Sequence, residues 1–274
     1  SDFINGFKSF IEKYDGKAAT IDDFVETIIG LNKEIDIHKF KIWYEQNGTP
    51  EIKFKRLWDK KNKELTIWVS QHNLNSKNKI NIKPLIIPIN IAIFSDNNIC
   101  KKLTYILKDK EDKINIKNIN TKLQFPIISY FREFSAPVKW STDLSFKEEL
   151  FLLENETDLF TIFDLIQKIY IKIIKINLAD KDTFALEQNL FSCLNNIFAK
   201  RKDINLSLLS ELINVPTFSD LESEVENIDP LKIYKIIDSL NIKLAKSLKT
   251  ELVKKTKEIQ ININKKWPEG KHER

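Results

Sequence analysis

The sequence contains no methionine, five glycines, two cysteines and three histidines in 274 residues. Each shortage excludes a class of chemistry. So few glycines leave little material for a loop that cradles phosphate groups, and no such loop is present. Cys100 and Cys193 lie far apart, with no second pair to build a zinc ribbon or a disulfide framework. Both read as small, buried apolar side chains of a reducing compartment. His38, His72 and His272 are isolated from one another, and none has a partner at the HExxH spacing. They read as surface or loop residues rather than zinc ligands. A complete natural chain begins with methionine and this one begins Ser1-Asp2-Phe3. The expectation is a processed chain or a piece of a longer one.

Long hydrophobic runs are also lacking. The longest, Leu85 to Phe94, is broken by Pro88 and Asn90, and falls well short of the ~20 residues that a spanning helix needs. The opening residues have neither the basic stretch nor the apolar run of a signal peptide. No membrane segment and no membrane partner are expected. Charge of one sign is scarce as well: 44 Lys and Arg face 39 Asp and Glu, for a net charge of +5. The arginines are Arg56, Arg132, Arg201 and Arg274. So mild a surplus does not call for a nucleic-acid partner. What remains is ordinary globular composition, 42% hydrophobic and 30% charged. At about 150 residues per domain, the length suits roughly two domains.

Periodicity divides the chain into three regions. From Phe3 to Asn47 the spacing is helical, with a break at Asp15-Gly16. Thr20 and Asp23 stand at the spacing of a capping box, ahead of the apolar face of Phe24, Val25, Ile28 and Ile29. A third, shorter helix carries Phe40, Trp43 and Tyr44 and is stopped by Gly48-Thr49-Pro50. From Glu51 to Trp140 the period changes to two, as in Ile52/Phe54, Leu65/Ile67/Val69, Ile87 to Ile93, and Ile114/Ile116. Short strands with polar connections read as an antiparallel sandwich. Pro84 and Pro88 place their strand at an edge, or lie at its ends. From Ser145 onward every segment is helical. Phe160, Phe163, Ile166, Tyr170 and Ile173 keep the spacing of three or four, as do Leu186, Leu190, Leu194 and Phe198. Asp229-Pro230 opens a last long helix. The expected fold is thus a short helical segment, an antiparallel β-sandwich, and an all-α region of helix pairs or a solenoid.

The sequence shows no catalytic pattern. There is no GxSxG nucleophile elbow and no phosphate loop. Carboxylate pairs such as Asp22-Asp23 and Glu148-Glu149 usually coat a solvated face. Lysines 53, 55, 60, 61 and 63 around Trp58 and Trp68 could meet a single strand. The lysine bias of the whole chain favours reading them instead as a lysine-rich, solvated strand face.

Three stretches carry a family resemblance. The first is Asp15-Gly16-Lys17-Ala18-Ala19-Thr20-Ile21-Asp22-Asp23-Phe24. The second is Trp43-Tyr44-Glu45-Gln46-Asn47-Gly48-Thr49-Pro50, and the third is Phe134-Ser135-Ala136-Pro137 after Arg132. In this order they resemble motifs of the bacterial aminopeptidase N (alanyl aminopeptidase) family of zinc peptidases. Asp158 to Asp164 and Asp229-Pro230 are weaker echoes.

The resemblance implies residues 1–48 as the last helices of a thermolysin-like catalytic domain. It implies 49–142 as a β-sandwich domain and 143–274 as the first part of a C-terminal helical domain. It further implies a cytoplasmic parent enzyme that removes N-terminal residues from peptides with a zinc ion. The zinc ligands and catalytic groups of the family lie upstream of the first stretch. This portion is therefore expected to hold no zinc, catalytic or substrate-binding residue, and to be inactive alone. Its expected partners are the missing catalytic domain and, through the parent, peptide substrates. Within the motifs, Asp15, Gly16, Thr20, Asp23, Phe24, Trp43, Tyr44, Gln46, Gly48, Thr49, Pro50, Phe134, Ser135, Ala136 and Pro137 are expected to act structurally. The competing reading is a stand-alone, non-catalytic module that binds proteins or peptides on the same frame.

Overall fold

The structure is a computed structural model that describes residues 2–30, 36–73, 83–222, 224–225 and 229–266. His272 lies outside the described residues. The chain divides into two compact units. One comprises residues 1–91, 102–126 and 135–143, the other 92–101, 127–134 and 144–274.

The first unit opens with three helices, α1 (Asp2–Tyr14), α2 (Ile21–Ile29) and α3 (Ile37–Glu45). The break expected at Asp15-Gly16 is there, and Gly16 holds φ at +70°, a conformation that favours glycine. α2 starts on the expected capping box. The Thr20 hydroxyl accepts from the Asp23 amide at 3.1 Å, and the Asp23 carboxylate accepts from the Thr20 amide at 2.9 Å. Val25 and Ile29 are its buried face. α3 ends before Gly48, which takes φ +97° and lets the chain turn into β1.

β1 (Pro50–Asp59) and β2 (Glu64–Asn73) pair antiparallel over their whole length, from Pro50↔Asn73 to Asp59↔Glu64. With β5 (Glu111–Ile116) and β7 (Lys139–Ser141) they form a sheet of order β5-β2-β1-β7. The β1–β7 pairing is parallel, in contrast to the antiparallel pattern read from the hairpins. A second sheet has the order β4-β3-β6, from β3 (Ile87–Ser95), β4 (Asn98–Leu107) and β6 (Ile127–Ser129). The division between units falls inside β3 and β4. Period-two patterning puts Ile52, Phe54, Leu65, Ile67 and Val69 in the core of the first unit together with Ile87, Ile89 and Ile91. Pro88 sits at the start of β3, ahead of the residues 92–94 that pair with β6, so its missing N–H interrupts no bond to β6.

The second unit is mainly helical: α4 (Phe146–Asn155), α5 (Leu159–Leu178), α6 (Phe184–Lys200), α7 (Leu206–Leu212), α8 (Phe218–Leu221) and α9 (Pro230–Lys266). α4 begins on a second capping box, Ser145 with Glu148. α9 begins as expected, with Asp229 accepting from the amides of Leu231 and Lys232 behind Pro230. The buried stripe of α5 is Ile162, Leu165, Ile166, Ile169, Tyr170, Ile173 and Ile174. Phe160 and Phe163, which share its spacing, stand beside that stripe at 36% and 37% exposure. α6 buries Leu190, Phe191, Leu194, Ile197 and Phe198, and α9 buries Ile233, Leu240, Leu244 and Leu248. α9 packs on both α5 and α6. Among the described residues, no helix is long and apolar enough to cross a membrane.

Candidate functional sites

The motif residues at the start of the chain form one polar knot. Asp23 closes the capping box and also accepts from the Tyr14 hydroxyl at 2.8 Å. These donors, led by the Thr20 amide, hold its carboxyl down at about 2. The neighbouring Asp22 accepts from the Tyr44 hydroxyl at 2.6 Å and pairs with Lys41 at 2.9 Å. Its carboxyl is lowered by those partners, Tyr44 first. Tyr44 is pushed up to about 12, by desolvation and then by Asp22. Phe24 lies edge-on to Phe10, with ring centroids 5.0 Å apart. Asp15 donates its amide to Ile11 at the end of α1.

The second motif ties α3 to the segment before β3. Trp43 Nε1 donates to the Ile86 carbonyl at 2.9 Å. The Gln46 side chain accepts from the Lys83 amide at 3.0 Å and donates to its carbonyl at 3.4 Å. Thr49 is exposed, and Pro50 is buried at the first position of β1. In the third motif Ser135 Oγ accepts from the Asn90 amide at 3.1 Å, Ala136 is buried and Pro137 is exposed. Each of these hydrogen bonds joins a motif side chain to backbone.

The residues just before Ser135 are strained. Phe131, Glu133 and Phe134 have φ of +53°, +60° and +51°, a region non-glycine residues occupy at a cost of roughly 1–3 kcal/mol each. Arg132, between them, is buried and anchors the turn. Its Nη2 donates to Glu156 Oε1 and to Thr157 Oγ1, each at 3.0 Å, and its Nε to Glu156 Oε1 at 3.2 Å. The Glu133 amide donates to Asp158, which also caps α5 through Thr161. The turn presents Phe134, 55% exposed, against Phe160 with ring centroids 4.8 Å apart. Sequence reasoning missed this strain because no glycine marks it.

Of the two described histidines, His38 opens α3 and His72 lies on β2. His72 Nε2 and Ser70 Oγ are 3.1 Å apart. Among the described residues, neither carries a hydrogen bond to a carboxylate that would complete a nucleophilic triad. No three His, Cys, Asp or Glu side chains among the described residues converge as metal ligands. Trp68 is partly exposed under the Lys113 ammonium, 5.5 Å from the ring centroid.

The second unit holds a small, half-open cavity of about 170 Å³ lined by polar and apolar residues of α5, α6 and α9. Asn177, Glu187, Lys232, Lys235, Ser239 and Lys243 supply its polar wall. Glu187 is only 2% exposed. Its two oxygens accept from the Thr183 hydroxyl at 2.7 Å and from Lys243 at 2.8 Å. Lys232 donates to the Leu178 carbonyl at the end of α5 and to Asp180. Nothing in the sequence alone pointed here, since Glu187 and Lys243 meet across 56 residues.

Known proteins match this architecture part by part. Residues 48–143 match a domain of unknown function (DUF3458) with an Ig-like fold, and residues 147–269 match its companion DUF3458_C, made of ARM repeats. Aminopeptidase N of Escherichia coli strain K12 is 26% identical over 263 residues, which cover 92% of this chain and 30% of that protein. Aminopeptidase N of Haemophilus influenzae is 26% identical over 270 residues, covering 95% and 31%. Among solved structures, Legionella pneumophila aminopeptidase A, in complex with aspartic acid, superposes with a TM-score of 0.80 at 24% identity. That match covers 95% of this chain and 29% of the Legionella chain. The chain thus spans about 30% of the length of the curated relatives it matches.

Proposed function

Because the chain is a relative of the aminopeptidases N, built from the Ig-like and ARM-repeat domains found at their C-terminal end, we propose that it is the non-catalytic C-terminal portion of such a peptidase. In this reading the whole enzyme removes N-terminal residues from peptides, and this portion braces the catalytic part and limits access to it. The observation that carries the reading is the apolar stripe on α1. Phe3, Ile4, Phe7 and Ile11 are 45% to 60% exposed, and Ile21, at the start of α2, is 65% exposed. A helix of that length presenting an apolar stripe to water lacks the surface that would cover it. A preceding catalytic part supplies one. In this reading the zinc of the family is held by the rest of the enzyme, and no catalytic step is assigned to the residues described.

The test is the mass and activity of the native polypeptide. The expected result is a chain about three times as long as this one that hydrolyses alanyl peptides, while residues 1–274 alone do not. Phe7→Asp and Ile11→Asp in the long chain should lower its melting temperature. A native polypeptide of 32.2 kDa would overturn the reading and leave a stand-alone interaction module, with the exposed Phe134–Phe160 pair as its first candidate contact.

A further inference from the structure

The cavity between α5, α6 and α9 lies in the helical unit, and its assignment does not depend on the peptidase reading. We propose that it is a binding site for a small oxyanion, a phosphate or a carboxylate group. Size sets the class first. At about 170 Å³ the cavity is well below the ~300 Å³ of sites that enclose drug-sized ligands, so it suits one small group.

Charge then sets the sign. The carboxylate in the cavity wall, Glu187, is neutralised by Lys243 at 2.8 Å, and Lys232 pairs at 2.9 Å with Asp180, which does not line the cavity. Lys235 lines the same cavity and has no ion pair among the described residues. One full positive charge is left over, and Ser239, one helical turn further along α9, adds a hydroxyl donor. Lys243 is half exposed, so its ammonium can bond a ligand oxygen while keeping Glu187. An oxyanion finds Lys235, Lys243 and Ser239 on one face of one helix.

The experiment is calorimetric titration of the chain at constant ionic strength, with inorganic phosphate in one arm and acetate in the other. Saturable binding of one ion per chain is expected in at least one arm, and the tighter arm identifies the source of the oxyanion. Lys235→Ala should weaken binding about tenfold, the loss of one charge-assisted hydrogen bond. Ser239→Ala should weaken it less. Both residues are exposed, so neither change threatens folding. Lys246→Ala, on the same helix but away from the cavity, should change nothing. Absence of saturable binding in both arms overturns the proposal, as does binding that Lys235→Ala leaves unchanged or that Lys246→Ala weakens equally.

Discussion

The Arg132 guanidinium meets the Glu156 carboxylate at 3.0 Å with only 6% of one side chain and none of the other exposed. Glu156 also accepts from the amides of Thr157 and Asp158, at 2.6 and 2.9 Å. The pair therefore locks the strained Phe131–Phe134 turn to the loop before α5. Arg132→Met leaves a buried carboxylate without its cation, and should destabilise the chain by about 3–5 kcal/mol. Adding Glu156→Gln should recover part of that loss, because the neutral amide oxygen still accepts from both backbone amides. Denaturant unfolding of the two single variants and the double variant measures this. Additive single losses would show that the two groups do not act together.

Acid should loosen the first helices early. Asp23 is held at about 2, well below the value of about 3.9 for a free aspartate. A carboxylate whose folded value is depressed adds stability that is complete above pH 4 and is lost as pH falls toward 2. Helix content followed from pH 5 to pH 2 should fall through this window, and Asp23→Asn should remove that step. Thr20→Ala, which deletes the other half of the cap, should cost about 1 kcal/mol at neutral pH.

Gly6 is expected to resist a change that helix propensity favours. Alanine in place of glycine inside a helix gains up to about 1 kcal/mol. Here the added Cβ would stand 2.8 Å from Ile28 Cα and 3.2 Å from Ile28 O on α2. Backbone cannot yield as a side-chain tip can, and overpacking of this kind costs roughly 1–3 kcal/mol. Gly6→Ala should therefore lower stability on balance. Hydrogen exchange should show α1 amides losing protection while those of β1 and β2 keep theirs.

Trp43→Phe keeps an aromatic ring in the half-buried site and removes only the donor to Ile86. The expected loss is about 1 kcal/mol. Gln46→Ala, which cuts both bonds to Lys83, should match it. Equal stability of wild type and both variants would mean that this latch adds nothing.

The local part of this architecture was legible from sequence. Thr20, Asp23, Asp229 and Pro230 cap helices through residues two to four positions away, so their spacing alone predicts the contact. β1, β2, β3 and β5 follow from stretches of period-two alternation, such as Ile52/Phe54, Leu65/Ile67/Val69, Ile87/Ile89/Ile91 and Ile114/Ile116. β4 escapes that test because Ile99-Cys100-Lys101-Lys102-Leu103 does not alternate, and its residues are mostly exposed or half-buried. β6 and β7, three residues each, are too short to show a period. The positions of Phe160 and Phe163 were misleading: a spacing of three or four marks a helix face, but tertiary packing chose the neighbouring face for burial. The cavity was invisible for a simpler reason. Its walls come from helices whose proximity no local pattern encodes.

Of the two cysteines expected to be buried, only Cys193 is, with its thiol pushed up by desolvation; Cys100 is exposed on β4, contrary to that expectation. Under native conditions a maleimide dye would attach at one place only, without any cysteine having to be removed or introduced. A fluorophore at Cys100 then reports on β4 from a single known position.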